Sequence, residues 1–195
     1  MCASSGSIDR REALRRTALL LGGAISAPTL AAVLAGCETP DTGERGWEPR
    51  ALTREQAALV AAIAEQIIPE TDTPGARAAG VHRFIDTMLA GYYSADEREA
   101  FLAGLAEVDA RANSASGRAF VRLSPAEQWA VLAPLDAAAY RGATPRPFFR
   151  TLKELTLLGY YSSEIGATRE LKYARVPGRF EGCVPFATVG RAWSV

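Results

Sequence analysis

Apolar residues recur every three to four positions over most of the chain after residue 50, and this spacing is typical of amphipathic helices. Five such segments follow one another, and short breaks that contain proline or glycine separate them. No comparable run of alternating β-branched residues predicts a strand. The pattern therefore predicts an all-α fold, a compact bundle of about five helices.

Signals for helix starts support this prediction. In a capping box, Ser or Thr stands three residues before Glu or Gln, and each side chain accepts a hydrogen bond from the other residue's backbone N–H. Three predicted helices begin in this way, with Thr53 and Gln56, Ser94 and Glu97, and Ser124 and Glu127. We expect the second helix to begin with Thr73 as its cap and Pro74 at its first position, and the fifth to follow Pro147.

Each predicted helix has one apolar face, and the five faces together predict the hydrophobic core. In chain order, the faces consist of Val60, Ile63, Ala64 and Ile67; Val81, Phe84, Ile85 and Met88; Phe101, Leu102, Leu105 and Val108; Trp129, Leu132 and Leu135; and Phe148, Leu152, Leu155 and either Leu158 or Gly159.

The helical spacing ends at Ser162, and the last 34 residues follow no regular pattern. They contain Pro177, Pro185, several glycines and irregularly spaced aromatic residues. A segment of this length without helix or strand is uncommon inside a compact domain. We therefore expect an irregular C-terminal tail that docks on another protein.

The N-terminus has the pattern of an export signal. Arg10 and Arg11 are followed by one further residue, two apolar residues and a basic one, as in a twin-arginine signal. Residues 17–36 carry no charge and are long enough to cross a bilayer, but their glycines, Ser26 and Pro28 make them weakly apolar. We favour a cleaved signal peptide.

The cleavage site is predicted from residues 34–37 (LAGC), which match the lipoprotein box, in which the cysteine is acylated and becomes the first residue of the mature chain. The alternatives are an uncleaved N-terminal anchor, or ordinary cleavage nearby that leaves Cys37 free. The favoured organisation is a twin-arginine lipoprotein signal over residues 1–36, a flexible tether over 37–51 and a helical domain over 52–195. This interpretation predicts a periplasmic protein that lipid on Cys37 anchors to a membrane.

Removal of the signal changes the charge and the number of thiols. The mature chain has 18 basic and 20 acidic residues, a net charge of −2, so no nucleic-acid partner is expected. Cys2 is lost and Cys37 carries lipid, which leaves Cys183 as the single thiol in an oxidising compartment. Cys183 then either forms a disulfide with another chain or is a buried, inert thiol.

Few residues have the chemistry of a catalytic or cofactor site. The chain has no G-x-G-x-x-G after a strand and no CxxC, and His82 is its only histidine, so a histidine-based metal site lacks its second ligand. Glu70 and Asp72 are close enough for acid–base chemistry, but a turn between helices uses the same residue types for backbone hydrogen bonds, and we favour the turn. We interpret His82 as a surface or capping residue.

Two tyrosine pairs, Tyr92 with Tyr93 and Tyr160 with Tyr161, have two interpretations. Their rings are able to line a sugar site by stacking. The favoured alternative is that each pair ends a helix, with one ring in the core and one on the surface.

Four separated motifs resemble the gluconate 2-dehydrogenase subunit 3 family. They are AIAEQIIPETDTPGARAAGVHRFID, LSPAEQ, FFRTLKELTLLGYYSSEIGATRELKY and VPGRFEGCVPF, in that order, and they span most of residues 52–187. The resemblance implies a small, cofactor-free subunit of a membrane-associated dehydrogenase. It implies a large partner subunit of the glucose-methanol-choline type, which contains FAD and oxidises sugars, sugar acids or polyols, and often a multihaem cytochrome c as a third subunit with haem c.

The resemblance also gives the unusual features of the chain a role. A small subunit with a twin-arginine signal is able to carry a folded, flavin-loaded partner across the membrane, and the tail becomes the segment that lies on that partner. Cys183 becomes a candidate for an inter-subunit disulfide. The candidates for contact with the partner are Tyr160, Tyr161, Glu164, Arg169, Tyr173, Phe180 and Pro185.

The sequence thus predicts a non-catalytic accessory subunit that stabilises and helps to export a flavoprotein dehydrogenase. One alternative is a free-standing exported lipoprotein that binds a small ligand, which requires a closed apolar pocket. The other is an independent enzyme, which the missing nucleophile, metal and cofactor signatures argue against.

Overall fold

The computed structural model describes residues 46–141, 147–176, 178 and 182–194. The predicted export signal at Arg10 and Arg11, the lipidation site at Cys37 and the interface candidate Phe180 lie outside the described residues. Glu48–Val195 forms one compact unit.

Five helices of eleven or more residues make up most of the described chain, which confirms the predicted all-α bundle. They are α1 (Arg54–Ile67), α2 (Val81–Gly91), α3 (Ala95–Ser116), α4 (Pro125–Ala139) and α5 (Phe148–Tyr161). A 3₁₀ turn, Phe120–Arg122, precedes α4. We refer to residues 48–163 as the helical body. Among the described residues, no helix combines the length and the apolar character needed to cross a membrane.

The three predicted capping boxes are present at the starts of α1, α3 and α4. The backbone N–H of Ser94 donates to Oε2 of Glu97 over 2.9 Å, and that of Ser124 donates to Oε2 of Glu127 over 2.8 Å. Because these backbone hydrogen bonds favour the ionised carboxylates, they lower the pKa of Glu97 and of Glu127 below the ordinary value. These helices therefore begin where the sequence predicts.

The second helix begins later than predicted, at Val81, and the proposed cap at Thr73 is wrong. The segment before α2 forms turns, because the N–H of Ala76 donates to the carbonyl of Ile68 over 2.9 Å. Gly80 then precedes α2 with φ at 68°, a left-handed conformation that glycine adopts without strain.

Helix α1 is the centre of the helical body. It contacts α2, α3, α4, α5 and the 3₁₀ turn, and seven of its fourteen residues are buried. Val60, Ile63 and Ala64 have no exposed surface. The buried residues also include Ala57, Ala61 and Ala62, whose short side chains let neighbouring helices approach closely.

One predicted core position is exposed instead, and of the two alternatives in α5 the core takes Gly159 rather than Leu158. Trp129 is 55% exposed, because the residue before it, Gln128, takes the buried position on α4 and donates to the carbonyl of Phe120 over 3.1 Å. Leu158 is also 55% exposed, and its neighbour Gly159 faces the core. A Cβ atom on Gly159 would lie 2.6 Å from the Phe84 ring, so the helix packs closely there only because the residue is glycine.

The chain after α5, residues 164–195, is termed the C-terminal arm. It contains a π-helical turn (Gly166–Glu170), strand β1 (Lys172–Tyr173), a one-turn helix α6 (Phe186–Val189) and strand β2 (Trp193–Ser194). The strands pair in parallel, with Lys172 opposite Trp193 and Tyr173 opposite Ser194. The predicted loss of regular helical spacing after Ser162 therefore corresponds to short elements of several kinds.

Candidate partner interface

Large apolar side chains are exposed along the C-terminal arm. Val176 is 81% exposed and Phe186 is 75% exposed. Beyond Gly166, no described residue of the arm is buried. Exposed apolar side chains that lie close together often mark an interaction site. The large exposed apolar residues of the arm are Tyr173, Val176, Val184, Phe186 and Trp193.

The last turns of α5 add three exposed apolar side chains: Leu157, Leu158 and Tyr161. Leu157 and Tyr161 stand four residues apart and so lie on the same side of the helix. The π-helical turn contacts both α5 and β1, which joins this end of the helix to the arm. We refer to the three α5 residues and the five exposed apolar residues of the arm collectively as the apolar surface.

Tyr160 is not part of this surface, and its prediction as an interface residue is wrong. The side chain is only 1% exposed, and its hydroxyl donates to the carbonyl of Pro74 over 2.8 Å. Burial raises the pKa of the Tyr160 hydroxyl above its ordinary value, so the group remains a proton donor. The ring of Tyr161 packs edge-on against Tyr160 and is 41% exposed. The pair therefore ends the helix with one ring inside and one outside, as the favoured interpretation expected.

The loop between α1 and α2 is held by hydrogen bonds to the side chain of Glu65. Oε1 of Glu65 accepts from the N–H of Glu70 over 2.9 Å, and Oε2 accepts from the N–H of Arg77 over 2.8 Å. The N–H of Thr71 donates to the carbonyl of Thr73 over 3.0 Å. Glu70 and Asp72 are exposed in this loop. These contacts agree with the interpretation of the segment as a turn.

The same loop fixes the start of the arm. The hydroxyl of Thr73 donates to Oε2 of Glu170 over 2.8 Å. Gly166 lies directly against α5, because a Cβ atom there would be 2.0 Å from the carbonyl oxygen of Tyr160. The π-helical turn, an element that often occurs at functional sites, is thus attached at both ends to the helical body.

The remaining candidates for partner contact lie on the surface. Cys183 is exposed and has a free thiol, so the alternative of a buried, inert thiol is wrong. The other exposed candidates are Glu164, Arg169, Tyr173 and Pro185. His82, expected at the surface or in a cap, is instead buried in the first turn of α2 with 7% of its surface exposed.

Sequence reasoning did not name six members of the apolar surface: Leu157, Leu158, Val176, Val184, Phe186 and Trp193. The signal for the last two was available, because both are large apolar residues in a segment without helical spacing. It also missed Asp86, which is 1% exposed. Its carboxylate accepts hydrogen bonds of 2.9 Å from three successive backbone N–H groups, those of residues 50–52.

An open groove of about 330 Å³ lies between α3 and α4, with Leu123, Val131 and Pro134 in its lining and Arg111 and Glu127 among its polar residues. Within the described ranges, no group of three or more His, Cys, Asp or Glu residues is placed to hold a metal ion. Within the described ranges, the exposed apolar side chains suit contact with another macromolecule.

Comparison with known proteins agrees with the four sequence motifs. Residues 54–178 match the family model described as Gluconate 2-dehydrogenase subunit 3. The matched range includes all five long helices, the π-helical turn and β1. No curated protein and no solved structure matches the chain significantly.

Proposed function

Because the chain belongs to the gluconate 2-dehydrogenase subunit 3 family, we propose that it is a non-catalytic accessory subunit of an FAD-dependent dehydrogenase complex. The family match carries the proposal, since the family's name describes a subunit of a dehydrogenase. The large subunit is of the glucose-methanol-choline type, holds the FAD and oxidises sugars, sugar acids or polyols. Complexes of this family often include a multihaem cytochrome c as a third subunit, which carries haem c.

The polar side chains of the helical body support a structural role. Glu65 holds the loop between α1 and α2 through two backbone N–H groups. Tyr160 donates to the carbonyl of Pro74 in the same loop, and Thr73 of that loop donates to Glu170 of the arm. Groups that are used in this way position the loop and the start of the arm.

The export part of the proposal rests on the N-terminal motifs. The twin-arginine pair Arg10 and Arg11 directs the folded complex to the periplasm, and the cofactor-loaded partner crosses the membrane together with this chain. Lipid on Cys37 then anchors the complex to a membrane.

The apolar surface is the proposed contact with the large subunit. Tyr161 and Tyr173 supply half-exposed rings, and Phe186 supplies one that is 75% exposed. Aromatic side chains of this kind are enriched in the buried centres of protein interfaces. Cys183 lies three residues before Phe186, so we propose that its exposed thiol forms the inter-subunit disulfide.

Mild purification of the protein from native membranes tests the proposal. On a gel without reductant, we expect a heavy band that contains this chain and a flavoprotein, both identified by mass spectrometry, and we expect reductant to separate them. In a Cys183→Ser variant the covalent band disappears, while the flavoprotein still co-purifies through the apolar surface.

Two other results have distinct meanings. A flavoprotein that co-purifies with the wild-type chain but separates on the gel without reductant keeps the subunit role and excludes the disulfide. Recovery of the chain as a lone monomer contradicts the subunit role and favours a free-standing lipoprotein that binds a small ligand.

A further inference from the structure

The C-terminal arm and the helical body carry charge of opposite sign. Residues 164–195 contain five basic and three acidic side chains, a net charge of +2. Residues 48–163 contain twelve basic and fourteen acidic side chains, a net charge of −2. The apolar surface therefore lies mostly within the basic part of the domain.

The two parts also differ in how their basic side chains are neutralised. All ion pairs between described residues lie in the helical body: Arg54 with Glu48, Arg111 with Glu107, Arg118 with Glu127, Arg150 with Glu154, and Lys153 with Asp136. Within the described ranges, the basic side chains of the arm have no carboxylate partner. They are Arg169, Lys172, Arg175 and Arg191.

Two of these side chains contact other residues of the arm. Nζ of Lys172 donates to the carbonyl of Val189 over 3.3 Å and lies 4.5 Å from the ring centre of Trp193. The guanidinium of Arg191 donates to the backbone carbonyl of Arg169. A carbonyl or a ring stabilises a cation but does not neutralise it. The described part of the arm thus combines basic side chains that lack a carboxylate partner with exposed aromatic rings.

We propose that the arm docks on an acidic surface of the large subunit, an inference that rests on the proposed function. The apolar side chains supply the buried contact, and carboxylates of the partner pair with the guanidinium groups of Arg169 and Arg175. Both arginines are exposed. Guanidinium groups bind carboxylates through two parallel hydrogen bonds, so such pairs also fix the orientation of the two subunits.

Charge reversal in the arm tests this inference. The variant R169E/R175E is compared with R98E/R122E, which makes the same change in net charge on the helical body at two arginines without a carboxylate partner among the described residues. All proteins carry Cys183→Ser, so that no covalent link hides dissociation. Each complex is bound to a resin through this chain and washed with rising NaCl, and the dehydrogenase activity that remains is measured.

We expect the arm variant to hold the dehydrogenase about tenfold or more weakly than the control. The two new glutamates would repel the partner's carboxylates, which the arginines attract. The control should release it at the same NaCl concentration as the protein with only Cys183→Ser. Thermal unfolding should be alike in all three proteins, since the arm substitutions lie outside the core.

The outcomes separate this inference from the proposed function. Equal retention by the arm variant and the control overturns the acidic docking surface and leaves the subunit role intact. Absence of dehydrogenase from every sample, even at low salt, contradicts the subunit role itself. If the arm variant keeps the dehydrogenase but loses binding to protein-free vesicles of anionic phospholipid, the arm binds lipid and the inference is wrong.

Discussion

Asp86 illustrates, at the scale of single residues, a buried charge that serves the fold. Its carboxylate is 1% exposed and accepts from the backbone N–H groups of Arg50, Ala51 and Leu52. Hydrogen bonds to a charged acceptor contribute more than those between neutral groups. The contact attaches the first residues of the helical body to α2, where no regular element holds them.

Replacement of Asp86 by alanine should lower the free energy of unfolding by about 3 kcal/mol, because three backbone donors lose their acceptor and the buried N–H of Leu52 is left unsatisfied. Chemical denaturation followed by circular dichroism measures this change. The matched control is Asp72→Ala, whose exposed carboxylate lies in the loop after α1, and it should change the same quantity by less than about 0.5 kcal/mol. Equal effects of the two substitutions would contradict the assigned role of Asp86.

Among the elements, the π-helical turn owes its position to one glycine, Gly166, because a larger residue does not fit there. Gly166 has a negative φ, so its backbone conformation is open to any residue. The space beside Gly166, however, does not accept a side chain, since a Cβ atom would lie 2.0 Å from the carbonyl oxygen of Tyr160. That oxygen belongs to the backbone of α5 and cannot rotate away.

Gly166→Ala should therefore destabilise the protein by about 2 kcal/mol and displace the turn, as overpacking does in a closely packed region. Gly91→Ala is the control, because nothing lies within 4 Å of its added Cβ atom at the end of α2. We expect Gly91→Ala to leave the free energy of unfolding unchanged or to raise it by about 0.5 kcal/mol, since alanine restricts the unfolded chain. Thermal unfolding and amide exchange of residues 164–173 measure both effects, and a neutral Gly166→Ala would rule out the close approach.

The elements also show which features the sequence determines locally. The capping boxes at Thr53, Ser94 and Ser124 were predictable because each involves residues three positions apart. The start of α2 was not, because the turns before it depend on Glu65 and Ile68, which are distant from the apparent cap at Thr73.

Local sequence patterns likewise predict only part of the candidate interface. The irregular arm was predictable from the loss of helical spacing. Which tyrosine of the pair at the end of α5 is buried depends on a contact with Pro74, 86 residues away in the chain, and no local pattern encodes it.

At the scale of the whole molecule, the C-terminal residues and the helical body are separable. Residues 182–194 include no buried side chain, and backbone pairing with β1 and polar contacts hold them. Removal of residues 182–195 should leave the free energy of unfolding within about 0.5 kcal/mol of the wild-type value, while retention of the dehydrogenase falls by about tenfold or more. Denaturation and co-purification measure the two quantities. A truncated chain that still holds its partner as well as the full one would contradict the role of the arm.

The central position of α1 determines when the domain is able to fold during synthesis. This helix leaves the ribosome before the others of the helical body, yet α5, which covers part of it, is made about 90 residues later. An incomplete chain therefore exposes Val60 and Ile63, and the stable state forms only after nearly all of the chain has been made.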